Sequence, residues 1–250
     1  MLNKSLENAS AKILAAKRPV SFSGAGLSAE SGIATFRDGS DNALWSKFDP
    51  MQLASQEGFA ADPAMVTDWY NWRRKTLSEA LPNEAHKVLG RQSNWIHITQ
   101  NVDHLLEAGG ADPQEVLHLH GSLLQDHCNA NCGYTEDVDL ANAAALRTCP
   151  ECANGATSGV ETYLRPSVVW FGESLPEVVL QRAANAAADA DLLLVVGTSA
   201  QVYPAAGLID IARRGGAEIL VVNTEASDNL AAGDIEIIGR AGEVLPIVFG

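Results

Sequence analysis

At 250 residues the chain is long enough for one full α/β domain with a small appendage, and too short for several large domains. Hydrophobic residues at 46% and charged residues at 19% exclude the low-hydrophobicity balance of a disordered chain. With 17 basic against 31 acidic residues the formal charge is −14, which disfavours adhesion to nucleic acid or to an anionic membrane and mildly favours a basic partner.

The opening segment, MLNKSLENASAKILAAKRPV, carries no long apolar run, and nowhere do about 18 uninterrupted apolar residues occur. A soluble, cytoplasmic monomer without nucleic-acid or membrane partners is the expectation. Residues 5–17 set Leu6, Ala9, Ile13 and Leu14 at helical spacing, Pro19 ends that run, and VSFSG begins an extended segment leading into a glycine loop. Short apolar runs recur at 95–99 (WIHIT), 191–197 (DLLLVVG) and 218–223 (EILVVN), with helix-like stretches at 175–189 and 204–214. Strands apolar on both faces that alternate with helices predict an α/β fold with a doubly wound, Rossmann-like parallel sheet.

Two stretches break the rhythm. Residues 40–85, rich in Trp, Phe and Met, predict a helical insertion, and residues 126–160 form a loop-rich module that could not build a core unaided. All four cysteines fall in the second, with three residues between Cys128 and Cys132, two between Cys149 and Cys152, and sixteen between the pairs. Paired knuckles of this kind predict one structural zinc ion, since four thiolates close a tetrahedral shell and leave no position for reacting water. On spacing alone, free thiols, two disulfides and an iron–sulfur cluster are the alternatives.

The loop after the first strand, Gly24-Ala25-Gly26-Leu27-Ser28, would let backbone amides approach a pyrophosphate at the start of a helix. Its interval from Gly26 to the next glycine is longer than in the common dinucleotide fingerprint, which argues against a classical dehydrogenase.

The whole segment 24–38, GAGLSAESGIATFRD, resembles the signature loop of the sirtuin family. Further motifs follow in that family's order: TQNVD at 99–103, LHG at 119–121, RPSVVWFGE at 165–173, VVGTS at 195–199 and VVN at 221–223. The cysteine quartet sits between the third and fourth motifs, as in sirtuins. The resemblance covers roughly residues 20–225, and Ala34 departs from it where a proline is usual.

The resemblance implies an NAD-dependent protein-lysine deacylase that transfers the acyl group to ADP-ribose and releases nicotinamide. It divides the chain into a Rossmann-like NAD-binding domain at 1–39, 86–125 and 161–250, a helical insertion at 40–85 and a zinc-ribbon small domain at 126–160. By resemblance His120 is the catalytic base, which suits an imidazole that titrates near neutral pH, with Asn101 and Asp103 as catalytic partners. Gly24, Ala25, Gly26, Ser28, Phe36, Arg37, Gln100, Asn101, Asp103, His120, Gly197, Thr198, Ser199, Asn223 and Ala241 are the implied NAD contacts. His118, although it would share a face with His120 in an extended segment, is not implied as the base.

Val168, Val169, Phe171, Gly172 and Glu173 match the segment that lines the acyl-lysine tunnel and pairs with substrate backbone as an added strand. Tyr70 and Arg73, three apart on a predicted helix, resemble the Tyr-x-x-Arg mark of the bacterial-type class that accepts succinyl and malonyl groups. A phenol and a guanidinium on one helix face suit a carboxylate. An NAD-binding module without turnover and an ADP-ribosyltransferase are the competing functional expectations.

Overall fold

The computed structural model describes residues 2–35, 49–155, 162–227 and 230–250. In chain order its elements are α1 (Leu2–Ala15), β1 (Pro19–Ser23), α2 (Pro50–Leu53), α3 (Gln56–Ala61), α4 (Pro63–Glu79), α5 (Glu84–Gly90), β2 (Ile96–Thr99), α6 (Leu105–Ala108), β3 (Val116–His118), β4 (Gly121–Cys128), β5 (Thr135–Asp137), α7 (Pro150–Gly155), β6 (Leu164–Val168), α8 (Glu177–Asp189), β7 (Leu192–Val196), α9 (Gly207–Gly215), β8 (Glu218–Asn223), β9 (Ile235–Ile238) and α10 (Ala241–Phe249). They fall into two compact units, Met1–Thr35 with Leu81–Leu119 and Leu175–Gly250, and Phe36–Ala80 with His120–Ser174. Among the described residues no helix is long and apolar enough to cross a membrane.

The larger unit is built on a six-stranded parallel sheet in the order β3-β2-β1-β7-β8-β9. Every residue of β7 is buried, because alternate side chains serve opposite faces of the sheet. Leu192, Leu194 and Val196 join one apolar cluster with Ala9, Ile13, Leu89, Leu245 and Val248, whereas Leu193 and Val195 join a second with Ala183, Ala187, Leu208 and Ala212. Helices α1, α5 and α10 thus cover one face and α8 and α9 the other. From β1 the chain moves outward to β2 and β3, then returns to place β7 on the other side of β1 and moves outward again. The carboxyl ends of β1 and β7 therefore flank the point where the winding reverses, the place where open α/β sheets take ligands.

The smaller unit holds a three-stranded antiparallel sheet, β5-β4-β6, beside α2, α3, α4 and α7. Helix α4 starts where Asp62 accepts the Met65 N–H at 2.9 Å and Pro63 occupies the first turn. Its Arg74, buried, ties it to β4 through Leu123 O at 3.0 Å and the Asp126 carboxylate at 2.5 Å.

Three expectations shift. Leu14, read as part of the apolar face of α1, is 77% exposed, since among the described side chains the helix turns Leu6, Ala9 and Ile13 toward the core. Helix α5 begins within the expected insertion, yet it belongs to the larger unit. Residues 164–168, expected within the Rossmann-like domain, fall in the smaller unit and pair antiparallel with β4.

Where the winding reverses, two backbones touch. A Cβ on Gly197, whose φ is +59°, would lie 2.4 Å from Leu27 N, and one on Gly26 would lie 2.7 Å from Gly197 Cα. Gly216 is also left-handed, with φ +91°, but a Cβ there meets open space. Gly197→Ala is therefore expected to cost more than about 2 kcal/mol, against about 1 kcal/mol for Gly216→Ala. Urea unfolding of both variants checks this, and equal losses would contradict the close approach.

Candidate active site

Three loops leave the carboxyl ends of adjacent strands β2, β1 and β7, and side chains lock them together. Gln100 Nε2 donates to Thr198 Oγ1 at 2.9 Å, and the Asn223 amide donates to Thr198 O at 3.3 Å. Asn101 uses both amide hydrogens inward, on Gly24 O at 3.1 Å and Ser28 Oγ at 3.1 Å, so its carbonyl is the end left for a ligand. Ser28 in turn donates to Asp103 at 2.9 Å, and the other Asp103 oxygen accepts the Leu105 N–H at 3.1 Å. Burial raises the Asp103 pKa, with these hydrogen bonds opposing the rise.

The loops also present donors. Among the described residues the backbone N–H groups of Ala25, Thr198 and Ser199 have no acceptor, whereas Gly24 N and Gly26 N donate to Val196 O and Gly197 O. Three N–H groups without protein partners, at strand ends where glycines admit close approach, form a fit for phosphate oxygens. Ala241 is buried at the start of α10, beside Gly242, whose N–H donates to Glu30 at 2.7 Å. Phe36 and Arg37 lie outside the described residues.

Two buried histidines support this cluster. Because the Ser28 hydroxyl hydrogen goes to Asp103, His86 Nε2 must donate to Ser28 Oγ, at 3.4 Å, while Nδ1 accepts the Asn83 N–H. That is neutral imidazole, in keeping with a pKa pushed down by burial to about 4. His118 is the opposite case. Its Nδ1 faces Asn101 O at 3.0 Å and its Nε2 faces the Glu107 carboxylate at 2.7 Å, both acceptors, so both nitrogens carry hydrogen. Burial works against that charge, yet the hydrogen bond and charge of Glu107 together outweigh it, and the His118 pKa rises. An imidazolium with both nitrogens engaged cannot be a general base. The Glu107 partnership was invisible in the sequence, where nothing links α6 to β3.

In the smaller unit His120 is half-buried between β3 and β4, and its carbonyl accepts the Val169 N–H at 2.9 Å. Val168 pairs with Gly121, and Phe171 N donates to Ala54 O at 2.8 Å. Trp170 N donates to Glu173 at 2.8 Å, and Glu173 N donates to Trp170 O at 3.0 Å. Of the N–H groups from Val169 to Glu173, four are thus engaged within the unit. Gly172, with φ +84°, is exposed. Glu173 holds Arg165 through both oxygens, at 2.6 and 3.0 Å, which overcomes its burial and pulls its pKa down to about 2.

Tyr70 and Arg73 share one side of α4. The Tyr70 ring is buried and its oxygen accepts the Trp170 indole N–H at 2.9 Å. The Arg73 guanidinium lies 5.1 Å from the Trp69 ring centre and 5.6 Å from that of Tyr70. Trp170 was missed in the sequence, although it stands inside the motif RPSVVWFGE.

The four cysteine sulfurs all lie within 4.8 Å of one another, with Cys128 to Cys152 at 3.7 Å and Cys132 to Cys149 at 3.6 Å. The edge of a tetrahedron of sulfurs about 2.3 Å from a central ion is about 3.8 Å, so the quartet fits one zinc ion. Disulfides are absent from this arrangement, since sulfur–sulfur bonds are about 2.05 Å long.

Residues 24–204 match the Sir2 family. "NAD-dependent protein deacylase 1" of Pseudomonas aeruginosa is 42% identical over 243 residues, which cover 92% of this chain and 92% of that protein. A Sir2 homologue solved as an ADP-ribose complex is similar with a TM-score of 0.87 at 38% identity, covering 97% of this chain and 94% of its own. A Sir2 homologue solved with NAD gives 0.81 at 39% identity, covering 99% and 93%.

Elemental analysis should find one zinc per chain, and chelation with mild heating should lower Tm as the core-poor cysteine module loses its staple. Metal-free protein with an unchanged Tm would contradict that role. Glu107→Gln should cost about 1–3 kcal/mol near pH 6. Because the folded pKa of His118 lies above its ordinary 6.5, the pair's stabilisation is complete below that value and is lost as pH rises through the raised one. The difference from wild type should therefore shrink toward pH 9 in paired urea titrations.

Proposed function

The chain belongs to the Sir2 family, and from that premise we propose that it is an NAD-dependent protein-lysine deacylase. The observation that carries this reading is the crevice at the reversal of the sheet. There the unpartnered N–H groups of Ala25, Thr198 and Ser199 adjoin a carbonyl-presenting Asn101 and the buried Ser28–Asp103 pair. The names of the relatives agree with it, being those of deacylases and of complexes with ADP-ribose and NAD.

When bound, NAD supplies an electrophilic ribose carbon, a hydroxyl to receive the acyl group, and nicotinamide as leaving group. The balance is acyl-lysine, NAD and water giving lysine, nicotinamide and acyl-ADP-ribose. The chain's own groups divide the work. Ala25, Thr198 and Ser199 hold phosphate through their N–H groups, with Gly24, Gly26 and Gly197 allowing the close approach. Gln100 and Asn223 fix the Thr198 turn against the ribose, and Ala241 borders the adenine. Asn101 presents its carbonyl oxygen to the reacting ribose, where Phe36 and Arg37 also act, and Asp103 holds Ser28 and the loop in register. His120 takes the proton from the ribose hydroxyl, the task for which neutral imidazole is suited near pH 7. His118, already doubly protonated, is unable to substitute for it.

The acyl-lysine enters past Val168, Val169, Phe171 and Gly172. With most of the N–H groups there engaged, the peptide backbone would meet the exposed Gly172. Glu173 acts by holding Arg165 and Trp170. The acyl end reaches Tyr70 and Arg73, which suit a carboxylate, and the enzyme accordingly removes succinyl and malonyl groups as well as acetyl. The zinc, held by Cys128, Cys132, Cys149 and Cys152, staples the small unit and takes no part in the chemistry.

Purified protein with NAD and matched acetyl- and succinyl-lysine peptides tests both claims by peptide mass and nicotinamide release. Both activities should disappear in His120→Ala while its Tm is kept, and Arg73→Met should lower succinyl kcat/KM about 30-fold or more relative to acetyl, the loss of one charge-assisted contact. Nicotinamide release with label from NAD retained on protein would favour an ADP-ribosyltransferase, and absence of release a binding module. Equal loss of both acyl activities in Arg73→Met would contradict the carboxylate pocket.

A further inference from the structure

Among the described residues the Tyr70 hydroxyl has one hydrogen-bond partner, the Trp170 indole at 2.9 Å. An indole N–H can only donate, so it occupies a lone pair on the phenol oxygen, and the phenol's own hydrogen is left without an acceptor. Burial of that oxygen raises its pKa, so it stays protonated. We propose that Trp170 is a specificity-determining positioning residue, which by donating to Tyr70 obliges the phenol to act as a hydrogen-bond donor toward an acceptor-only acyl end such as a carboxylate. This inference rests on the reading of Tyr70 and Arg73 as the acyl-end site and adds the group that sets its polarity.

The indole is held for such a task. Its backbone N–H donates to Glu173 at 2.8 Å, the Arg165 guanidinium lies 3.3 Å from its ring centre, and the Phe59 ring packs at 5.3 Å. Arg165 is fixed in turn by both Glu173 oxygens and by Val168 O at 2.7 Å, and Gln56 Nε2 adds a bond to Glu173 at 3.0 Å. With the ring so clamped, its N–H can point only at Tyr70. Freed from it, the phenol could turn its hydrogen away and offer a lone pair, which repels a carboxylate and accepts from an amide or hydroxyl instead.

The test is a double-substitution cycle on the full-length, zinc-loaded chain, reading kcat/KM for succinyl- and acetyl-lysine peptides of one sequence together with direct binding of both. Trp170→Phe should lower the succinyl-to-acetyl ratio about tenfold, mostly through KM, and Tyr70→Phe should do the same. The double variant should fall no further than Tyr70→Phe alone, a non-additivity that a merely structural Trp170 would not produce. Site-specific replacement of Trp170 by 3-benzothienylalanine, which keeps the ring and lacks the N–H, should reproduce the Trp170→Phe ratio if the phenylalanine variant folds poorly. A wild-type succinyl preference that survives the N–H deletion overturns this inference alone. Wild-type deacetylation with no preference for the carboxylate overturns the acyl-end reading and this inference together.

Discussion

The contact of the Gly24–Leu27 turn with Gly197 sets the geometry on which the site depends. Two strand ends can meet backbone to backbone only if both lack side chains there, and a Cβ at Gly24, Gly26 or Gly197 would fall within 3 Å of the opposite loop. Their approach leaves N–H groups on both sides facing the same crevice, and it lets Asn101 reach Gly24 O from the third strand. The buried Ser28, Asn101, Asp103 and His86 form a hydrogen-bonded polar cluster beneath, in which each side-chain hydrogen has one destination. Such a cluster specifies a single arrangement of the loops, because any other would strand a buried polar group.

The smaller unit solves a different problem. Its sheet is short and its segment around the cysteines has little apolar surface, Cys128, Cys149 and Leu164 forming the small cluster there. Apart from the apolar side chains that α4 buries, such as Val66, Tyr70 and Leu77, ionic and metal ties hold this unit together. Arg74 joins α4 to β4, Arg147 bridges Asp126 and Glu136, and Arg165 joins β6 to Glu173. Each of these guanidiniums has a carboxylate partner, which is what makes burial of Arg74 and Arg165 tolerable. The same ties fix the ends of the Tyr70–Trp170 pair, so the stability of this unit and the geometry of that pair have common causes.

Much of this was legible in the amino-acid order. The runs at 191–197 and 218–223 could be read as doubly buried strands because their apolar residues leave no polar face, and the cysteine spacing encoded the metal quartet directly. The placement of residues 164–168 in the smaller unit shows the limit, since the order of motifs along the chain says nothing of which strand becomes a neighbour. Contacts made across long separations were equally hidden. Tyr70 and Trp170 are 100 residues apart, and His118 meets Glu107 only because β3 lies at the edge of the sheet next to α6. The protonation state of His118 follows from two acceptors that no local pattern reveals, although the sequence did distinguish it from His120 by position in the LHG motif.

The central claim is that the strand-end crevice couples cleavage of NAD to acyl transfer onto its ribose. The most direct measurement is the mass of the nucleotide product formed from NAD and an acyl-lysine peptide labelled with carbon-13 in the acyl group. The account predicts ADP-ribose carrying the labelled acyl group, in amounts equal to the nicotinamide released and the lysine freed. Unmodified ADP-ribose as the first product, with the label released as free carboxylic acid, would contradict it.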